Sequence, residues 1–446
     1  MVWQHRILNV AWELKFGISA ASLMTKLLML SNNDTAIIAQ MNSIHWAANG
    51  LLQLWGTPLS GALSDAIGRK PLWALGRLTK LFWFMGSHYA TSMPQYVAAC
   101  ILAWGVTDFG TLSVQEAAWA DVFGSRPELS SRLKASNQVW TGISGLVGPV
   151  LGAEILKRFG PAAGFQLASL VCAIEGVMVL CTRESNPAGG KSRKPFLLSK
   201  AGNPFASIGV LFRHGPGLRG LSIAAGLLRS VVTVYSTIEP FRLGPLGWSP
   251  AEQSYYSAIL SGLNSGTTAL VGKPLLRLWG NRKVFELGST AAAVAYLGLS
   301  QSCRPAGAAH QLRRTLQFCA CKLILMTPWS EPSFSAIGPM IVKQGLAVSD
   351  GAGRGELSAA YDGLASLIGV FSPFLWAGLY TFFAAGQEAV GLRGVLARLL
   401  GPGGHFVVAG LLRLTSAAVL HSVKASDLFI EDEAQTKVAA MDKKPD

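Results

Sequence analysis

Long apolar runs recur along the chain, and each is close to the length that a helix needs to cross a lipid bilayer. A spanning helix takes about 20 mostly apolar residues. Their length, and the lack of a two-residue alternation, favour helices over the strands of a barrel. We therefore predict an all-α integral membrane protein with twelve transmembrane helices. The twelve runs occupy residues 16–30, 44–63, 72–89, 96–119, 140–156, 162–181, 221–238, 255–271, 284–299, 316–342, 357–382 and 405–420.

Charged residues are few, and they gather in the gaps between these runs. They make up 14% of the 446 residues, against roughly 25% in soluble proteins. The net charge of +14 does not indicate nucleic-acid binding, because the basic residues sit in short loops rather than on an aromatic-interleaved surface. We expect the lipid bilayer, and no nucleic acid, as a partner.

Counting Lys and Arg in alternate loops predicts the orientation of the chain. One set of loops is about twice as basic as the other, and basic loops stay on the cytosolic side. The richer set includes Arg69 and Lys70, which places both termini in the cytosol. Arg313 and Arg314 lie in the poorer set and do not fit this scheme.

A polar linker divides the chain into two parts of six apolar runs each. Residues 183–205 are basic and rich in Gly, Pro and Ser, which is typical of a linker. We predict two six-helix halves, 1–182 and 206–421, as in transporters with internal repeats. The charged segment 422–446 is predicted to be a disordered cytosolic tail.

The stretch "SGALSDAIGRKP", which joins the second and third runs, contains residues that suit a tight turn at the membrane surface. Gly68 permits the turn, and Gly61 lets a neighbouring helix approach closely. Asp65, at the end of a span, can accept hydrogen bonds from the N-terminus of a neighbouring helix. Arg69 and Lys70 hold the loop in the cytosol. A weaker copy, "GKPLLRLWGNRK", at the matching place in the second part keeps the glycines and basic residues but lacks the acid.

These residues resemble the signature of the major facilitator superfamily. Its loop between helices 2 and 3 reads Gly-x-x-x-Asp-x-x-Gly-Arg-Lys/Arg, and every fixed position matches. The stretch "AAWADVFGSRPELSSR" resembles the end of helix 4. "GLVGPVLGAEI" is similar to the helix 5 signature of drug antiporters through Gly148, Pro149 and Gly152, with Ala153 replacing the last glycine. Runs eight and eleven extend the resemblance to the tetracycline-efflux-like branch.

The resemblance implies a transporter of small solutes that works by alternating access, with no enzymatic activity and no cofactor. In the family this loop latches the cytosolic side in the outward-open state. Asp65 would meet the start of helix 11, and Arg69 would pair with Asp121. The alternative is that Arg69 and Lys70 are only positive-inside anchors. The predicted gating set is Gly61, Asp65, Gly68, Arg69, Lys70, Asp121, Arg132 and Asp362.

Ionisable residues inside the apolar runs are candidates for substrate binding or coupling, because charge in a bilayer is costly. Arg229 lies about 16 Å into helix 7, near the middle of a roughly 30 Å core. Residues three, four and seven apart share one face of a helix. This spacing groups Arg229 with Thr233 and Ser236, and Asp108 with Thr111 and Gln115. The resemblance places helices 1, 4, 7 and 10 around a central cavity. The predicted set is Arg229, Asp108, Thr111, Gln115, Thr233, Ser236, Lys26 and Lys322.

Each of these candidates has a structural alternative. Arg229 could pair permanently with an acid such as Asp108 and hold helices together. Lys26 and Lys322 could extend their long stems to the membrane interface. We expect Glu175 and Arg77 to be peripheral.

The predicted function is secondary or facilitative transport of a small organic solute by a monomer. The basic candidates favour an anionic solute, whereas the efflux-like resemblance favours an amphipathic drug-like compound. Drug–proton antiporters of this branch usually carry an arginine in helix 4, and residues 96–124 contain none. A proton or another ion is therefore an optional coupling partner. A non-transporting membrane sensor or scaffold is the alternative, and the complete loop motif favours the transporter. No cluster has metal-ligand spacing, and no phosphate-binding loop is present.

Overall fold

The structure, a computed structural model, describes residues 2–108, 114–115, 118, 127–185, 204–267, 271, 273–302, 311–326, 331–348, 354–386, 389–424 and 427–428. Within these ranges the chain forms α-helices and no β-strand, which confirms the all-α class. The helices, numbered in chain order, are α1 Val2–Leu30, α2 Thr35–Ile67, α3 Arg69–Tyr89, α4 Met93–Asp108, α5 Pro127–Phe159, α6 Pro161–Leu180, α7 Pro204–Arg213, α8 Gly215–Val232, α9 Tyr235–Leu243, α10 Pro250–Thr267, α11 Lys273–Gln301, α12 Gln311–Met326, α13 Glu331–Val348, α14 Arg354–Ala385, α15 Leu392–Leu400 and α16 Gly404–Ser422.

Short sequence signals set several helix boundaries. The Asp34 carboxylate accepts the N–H groups of Ala36 at 2.8 Å and Ile37 at 3.3 Å, and so caps α2. Gly160 has a φ of 77° and is followed by Pro161 at the first position of α6. Both arrangements follow general rules, since Asp is a preferred N-cap and Pro suits the first helical turn.

Among the described residues, five helical stretches are long and apolar enough to cross a membrane. A bent pair made of α1 and the first part of α2 raises the number to six if it is one span. Together with the apolar exterior of these helices, this supports an integral, multi-pass membrane protein. The predicted number of twelve spans stays a prediction. The five stretches are Val139–Phe159, Pro161–Leu180, Gly215–Leu243, Ala360–Ala384 and Gly404–Ser422.

The helices pack into two compact units. Unit 1 contains Met1–Gly202, Tyr235–Gly266 and Gly369–Ala384; within it α1 packs on α5 and α6, and α3 packs on α4 and α6. Unit 2 contains Asn203–Val234, Thr267–Ile368 and Ala385–Asp446; within it α11 packs on α12, α13 and α16. The predicted halves 1–182 and 206–421, with the linker 183–205 between them, stay predictions.

The core of unit 1 is built from apolar side chains of α1, α3, α4 and α6. Leu27, Phe84, Cys100 and Phe165 belong to one buried cluster, which Phe16 joins from its edge. Indole Nε1 of Trp83 in the same cluster donates to the Cys100 sulfur at 3.1 Å. Aromatic packing of this kind fixes the faces that α1 and α3 turn toward each other.

Several helices differ from the predicted runs. The first helix starts at Val2 rather than at residue 16. Lys15, which interrupts its apolar run, is buried in an ion pair with Glu175. The run 316–342 is divided between α12, which ends at Met326, and α13. Residues 327–330 of that run lie outside the described part of the chain. The short helix α15 was not predicted.

Candidate functional site

The turn between α2 and α3 has a backbone conformation that glycine adopts at low cost. Gly68 has φ 107° and ψ 159°, a region that costs other residues about 1–3 kcal/mol. Its N–H donates to the Ser64 carbonyl at 3.0 Å, and the Arg69 guanidinium donates to the Ser64 hydroxyl. The turn therefore starts α3 at Arg69 and folds that side chain back onto α2.

Glu184, which follows α6, caps the open end of α3. Its Oε1 accepts the N–H of Arg69 at 2.9 Å, and its Oε2 accepts the N–H of Lys70 at 3.1 Å. The first N–H groups of a helix lack partners within the helix, and a negative charge there is stabilising. The sequence analysis missed Glu184. The available signal was an acid just beyond a helix that ends on the same side of the membrane as α3 begins.

Other members of the predicted gating set lie at the limit of what the structure describes. Gly61 and Asp65 belong to α2 and Arg132 belongs to α5, but their side chains lie outside the described part of the chain. Asp121 lies outside the described residues. Asp362 is an exposed residue of α14. The latch that joins Asp65 and Arg69 to distant partners therefore stays a prediction.

The weaker copy of the loop has the same backbone feature as the first. Gly280 interrupts α11 with φ 74° and ψ 166°. Two residues later, Arg282 donates to the carbonyl oxygens of Val423 at 2.9 Å and His421 at 3.3 Å. It also pairs with Glu286 at 3.2 Å. In both copies a glycine with positive φ comes shortly before a basic residue. The chain just after a later helix contacts the turn, at Glu184 in the first copy and at Val423 in the second.

Unit 1 encloses a cluster of charged side chains. Lys15 of α1 forms an ion pair with Glu175 of α6, and both side chains are fully buried. Arg77 of α3 donates from Nη1 to Glu175 Oε1 at 3.2 Å, with 2% of its side chain exposed. Removing one member of such a buried pair leaves an uncompensated charge, so the three residues depend on one another.

Polar and aromatic residues complete this ionic cluster. Arg77 Nη2 donates to Gln115 Oε1 at 3.0 Å, and Gln115 Nε2 donates to Asn9 Oδ1 at 3.0 Å. Lys15 Nζ lies 4.2 Å and the Arg77 guanidinium carbon 4.3 Å from the centroid of the Trp12 ring. Cation–π contacts of this length are favourable where water is excluded. Gln115 was predicted as a substrate residue beside Asp108 and Thr111, and the structure places it in the ionic cluster.

The ionic cluster corrects one expectation from the sequence. Glu175 and Arg77 were expected to be peripheral, but their exposed fractions are 0% and 1%. The reason is that α6 and α3 turn these residues toward α1 rather than toward the bilayer. Buried ionisable residues in membrane segments are functional candidates by default. Lys15 is their missing partner, and the prediction of a short first helix hid it.

Unit 2 contains a separate arginine contact. Arg229 of α8 donates to the Tyr361 hydroxyl of α14 from Nε at 3.2 Å and from Nη2 at 3.0 Å. The guanidinium carbon lies 5.1 Å from the centroid of the Tyr361 ring. The proposed structural partner Asp108 ends α4, and its side chain lies outside the described part of the chain; Thr111 is outside the described residues.

Thr233 and Ser236, predicted to share a face with Arg229, lie beyond the end of α8. The helix α8 ends at Val232, and Thr233 caps it. The Thr233 hydroxyl donates to the Ser230 carbonyl at 2.8 Å. Ser236 lies in α9, and its carbonyl accepts from Asn42 Nδ2 at 3.4 Å in unit 1. A turn at 233–234 lies between α8 and α9, and the shared face of the three residues stays a prediction.

The two lysines predicted near the cavity have different surroundings. Lys26 Nζ donates to the His88 carbonyl at 3.1 Å, near the end of α3, where the carbonyls lack partners within the helix. Lys322 is buried in α12, with 2% exposed. A role of either lysine toward substrate stays a prediction.

The helix 5 signature brings α5 against α1. A Cβ atom at Gly148 would lie 3.0 Å from the Leu14 carbonyl oxygen, and one at Gly152 would lie 2.8 Å from the Gly17 carbonyl oxygen. Pro149 lies between them inside α5. Small residues permit this close approach of two backbones, so Gly148 and Gly152 have a packing role.

Helices from both sides of the linker meet inside unit 1. The Tyr380 hydroxyl of α14 lies 3.0 Å from the Thr35 hydroxyl of α2. Tyr255 of α10 donates to Glu154 of α5, and Lys157 Nζ donates to the Tyr255 hydroxyl at 2.7 Å. These contacts lie near the ends of their helices, where the loops after α1, α5, α9 and α14 emerge.

Comparisons with known proteins identify a transporter family. The family described as Major Facilitator Superfamily matches residues 16–310, and the comparison with curated proteins gives no significant match. The structure of the human organic anion transporter MFSD10 (TETRAN) has a TM-score of 0.56 at 17% identity, covering 94% of this chain and 99% of that one. A D-xylose-proton symporter has a TM-score of 0.67 at 14% identity, with coverages of 96% and 98%. A POT family transporter in complex with 5-aminolevulinic acid has a TM-score of 0.68 at 11% identity, with both coverages at 96%.

Proposed function

Because the chain belongs to the major facilitator superfamily, we propose that it moves a small organic solute across the membrane by alternating access. It acts as a secondary or facilitative transporter, with both termini in the cytosol. No step of this function calls for a cofactor. We assign it to the tetracycline-efflux-like branch, which runs eight and eleven resemble and whose drug antiporters share its helix 5 motif.

The observation that carries alternating access is the set of contacts between the two predicted halves. Thr35 with Tyr380, and Glu154 with Tyr255, join α2 and α5 to α14 and α10. With cytosolic termini, all four residues lie toward the opposite side of the membrane. They therefore form an outer gate, which must open when solute exchanges with that side.

The loop between α2 and α3 serves as the cytosolic counterpart of the outer gate. Gly68 sets the turn, and Glu184 holds the first N–H groups of α3. This anchoring keeps Asp65 and Arg69 at a fixed height in the membrane, where they latch the cytosolic side in the outward-open state. Asp121, Arg132 and Asp362 complete this latch.

Arg229 is the proposed contact for the solute. Its hydrogen bonds to the Tyr361 hydroxyl orient the guanidinium, and a planar guanidinium favours carboxylate or phosphate groups. We therefore assign the solute an anionic group. MFSD10, a protein of similar fold, is described as an organic anion transporter, which supports the same class.

The ionic cluster is the proposed site through which an ion gradient acts. Glu175 shares its carboxylate between Lys15 and Arg77, and a change in its protonation would change both contacts. This arrangement replaces the helix 4 arginine that the chain lacks. Proton coupling is therefore assigned to α1, α3 and α6 rather than to α4.

Solute flux into proteoliposomes that hold the purified protein tests the proposal. Organic anions and amphipathic cations are offered with and without a proton gradient, beside Asp65→Asn and Glu175→Gln variants. We expect uptake of organic anions, driven by the gradient, slow in Asp65→Asn and independent of the gradient in Glu175→Gln. If uptake by the unaltered protein does not depend on the proton gradient, the protein is a facilitator. The absence of flux from folded protein would favour the sensor or scaffold alternative.

A further inference from the structure

The short helix α15 has three distinct faces. Successive residues are about 100° apart around a helix, so Leu392, Val395 and Leu399 lie on one side of it. Their exposed fractions are 75%, 52% and 63%. Leu396 and Leu400 widen the same face to an arc of about 140°. An apolar face this wide, turned away from the protein, has a matching surface in contact with it.

The opposite face packs on the segment just before α15. Gly394 and Ala397, three residues apart, are buried, and Ala397 is fully so. A Cβ atom at Gly386 would lie 3.0 Å from the Ala397 Cβ. Only small side chains fit along this contact. The fold therefore fixes the rotation of α15 and directs its leucines outward.

Two arginines flank the apolar face, one on each side. Arg393 and Arg398 are exposed and fall at about 100° and 240° when Leu392 is placed at zero. The described part of α15 contains no acidic residue. An apolar face bordered by basic residues is typical of helices that lie in the plane of a membrane interface.

The position of α15 in the chain agrees with this placement. It follows α14, which includes the candidate span Ala360–Ala384, and it precedes the candidate span Gly404–Ser422. The connection between two spans emerges at the membrane surface. Val390, just before α15, is 96% exposed, and it extends the outward apolar surface by one more side chain.

We propose that α15 is an interfacial helix that binds the headgroup and acyl boundary of the bilayer and selects anionic phospholipids. Leu392, Val395 and Leu399 enter the acyl region, and Arg393 and Arg398 contact lipid phosphates. The helix anchors the connection between α14 and α16 at a fixed depth. This role does not depend on what the protein transports.

The first test measures the depth of the apolar face in the full-length protein. A nitroxide is attached to Leu399→Cys in a Cys181→Ser background, in discs of phosphatidylcholine and phosphatidylglycerol in equal amounts. The Cys181→Ser protein without the new cysteine measures labelling of the remaining native cysteines. Leu170→Cys on α6 is the lipid-facing reference. We expect the label at 399 to collide with oxygen more than with a water-soluble nickel complex, as at 170. Preference for the nickel complex at 399 would overturn the proposal.

The second test measures lipid selection. The thermal midpoint of the full-length protein is compared in discs of phosphatidylcholine alone and in the mixed discs, for the unaltered protein, Arg393→Gln with Arg398→Gln, and the exposed control Arg313→Gln. We expect the mixed discs to raise the midpoint of the unaltered protein and of the control, and the double variant to lose most of this rise. Equal stabilisation of the double variant would refute lipid selection. A change of oligomeric state in the double variant would assign the face to a second copy and overturn the proposal.

Discussion

Lys15 and Glu175 form an ion pair in which both side chains are shielded from solvent, although the residues are 160 positions apart in the chain. Arg77 shares the same carboxylate. The pair joins the first helix to α6 at a place where water cannot replace either partner. Its integrity therefore affects the packing of α1, α3 and α6 together.

Replacing Glu175 with alanine should destabilise the protein strongly. The variant leaves Lys15 and Arg77 buried beside each other without a negative charge, and breaking a buried pair costs about 3–5 kcal/mol. Thermal unfolding in detergent measures the loss. Arg158→Ala, which removes an exposed partner of Glu154, is the control and should leave the midpoint unchanged because exposed pairs contribute little. An unchanged midpoint for Glu175→Ala would show that the ionic cluster carries no stability.

Replacing Gly68 with alanine should destabilise the turn between α2 and α3. The φ of 107° is strained for alanine by about 1–3 kcal/mol. Gly280→Ala, at φ 74°, should have a similar effect in the second copy. Gly378, a helical glycine where an added Cβ would have nothing within 4 Å, is the matched control, and alanine there should be neutral or stabilising. The order of the three unfolding midpoints checks the prediction, and a neutral Gly68→Ala would contradict it.

Replacing Glu184 with alanine should loosen the start of α3. The carboxylate accepts two N–H groups at the helix N-terminus, and loss of an N-terminal cap costs about 1 kcal/mol. Glu184→Gln keeps one acceptor oxygen and should have an intermediate effect. Amide hydrogen exchange at residues 69–73 measures the opening of this turn. Equal exchange in all three proteins would argue against the capping role.

Replacing Arg229 with lysine should weaken the binding of an anionic solute. Lysine keeps the charge but loses the two-point contact of the guanidinium, so we expect KM to rise about tenfold, which is about 1.4 kcal/mol. Tyr361→Phe removes only the oxygen that orients Arg229 and should have a smaller effect in the same direction. Flux measurements with an organic anion separate the two. A KM that neither variant alters would place the solute elsewhere.

A disulfide between α5 and α10, deeper in the helices than the outer gate, should stop transport. A Cβ atom at Gly145 of α5 would lie 3.1 Å from the Ser261 Cβ of α10, close to the separation of about 3.5–4.5 Å that a disulfide takes. Oxidised Gly145→Cys with Ser261→Cys should show no flux, and reduction should restore it. The Gly145→Cys variant alone controls for the substitution itself. Persistent flux with the bond formed would mean that α5 and α10 do not separate during transport.

The fold class and one turn were predictable from the sequence because each depends on residues close together in the chain. Long apolar runs specify helices, since a bilayer permits only helices and closed barrels and the runs lack the two-residue alternation of barrel strands. Gly68 was recognisable because Arg69, Lys70 and the earlier Asp65 surround it at fixed spacing. The first helix was predicted too short because Glu13 and Lys15 interrupt its apolar run, although Lys15 is buried by protein rather than by lipid.

The sequence by itself determined that this chain is an all-helical membrane protein of the major facilitator superfamily with a glycine turn before α3. Only the tertiary structure decided which charges meet. Lys15 with Glu175, Glu184 with the start of α3, and Arg229 with Tyr361 each join helices that are far apart in the chain. The physical reason is that spacing along a helix specifies which residues share a face, whereas the partner of that face depends on how the helices pack.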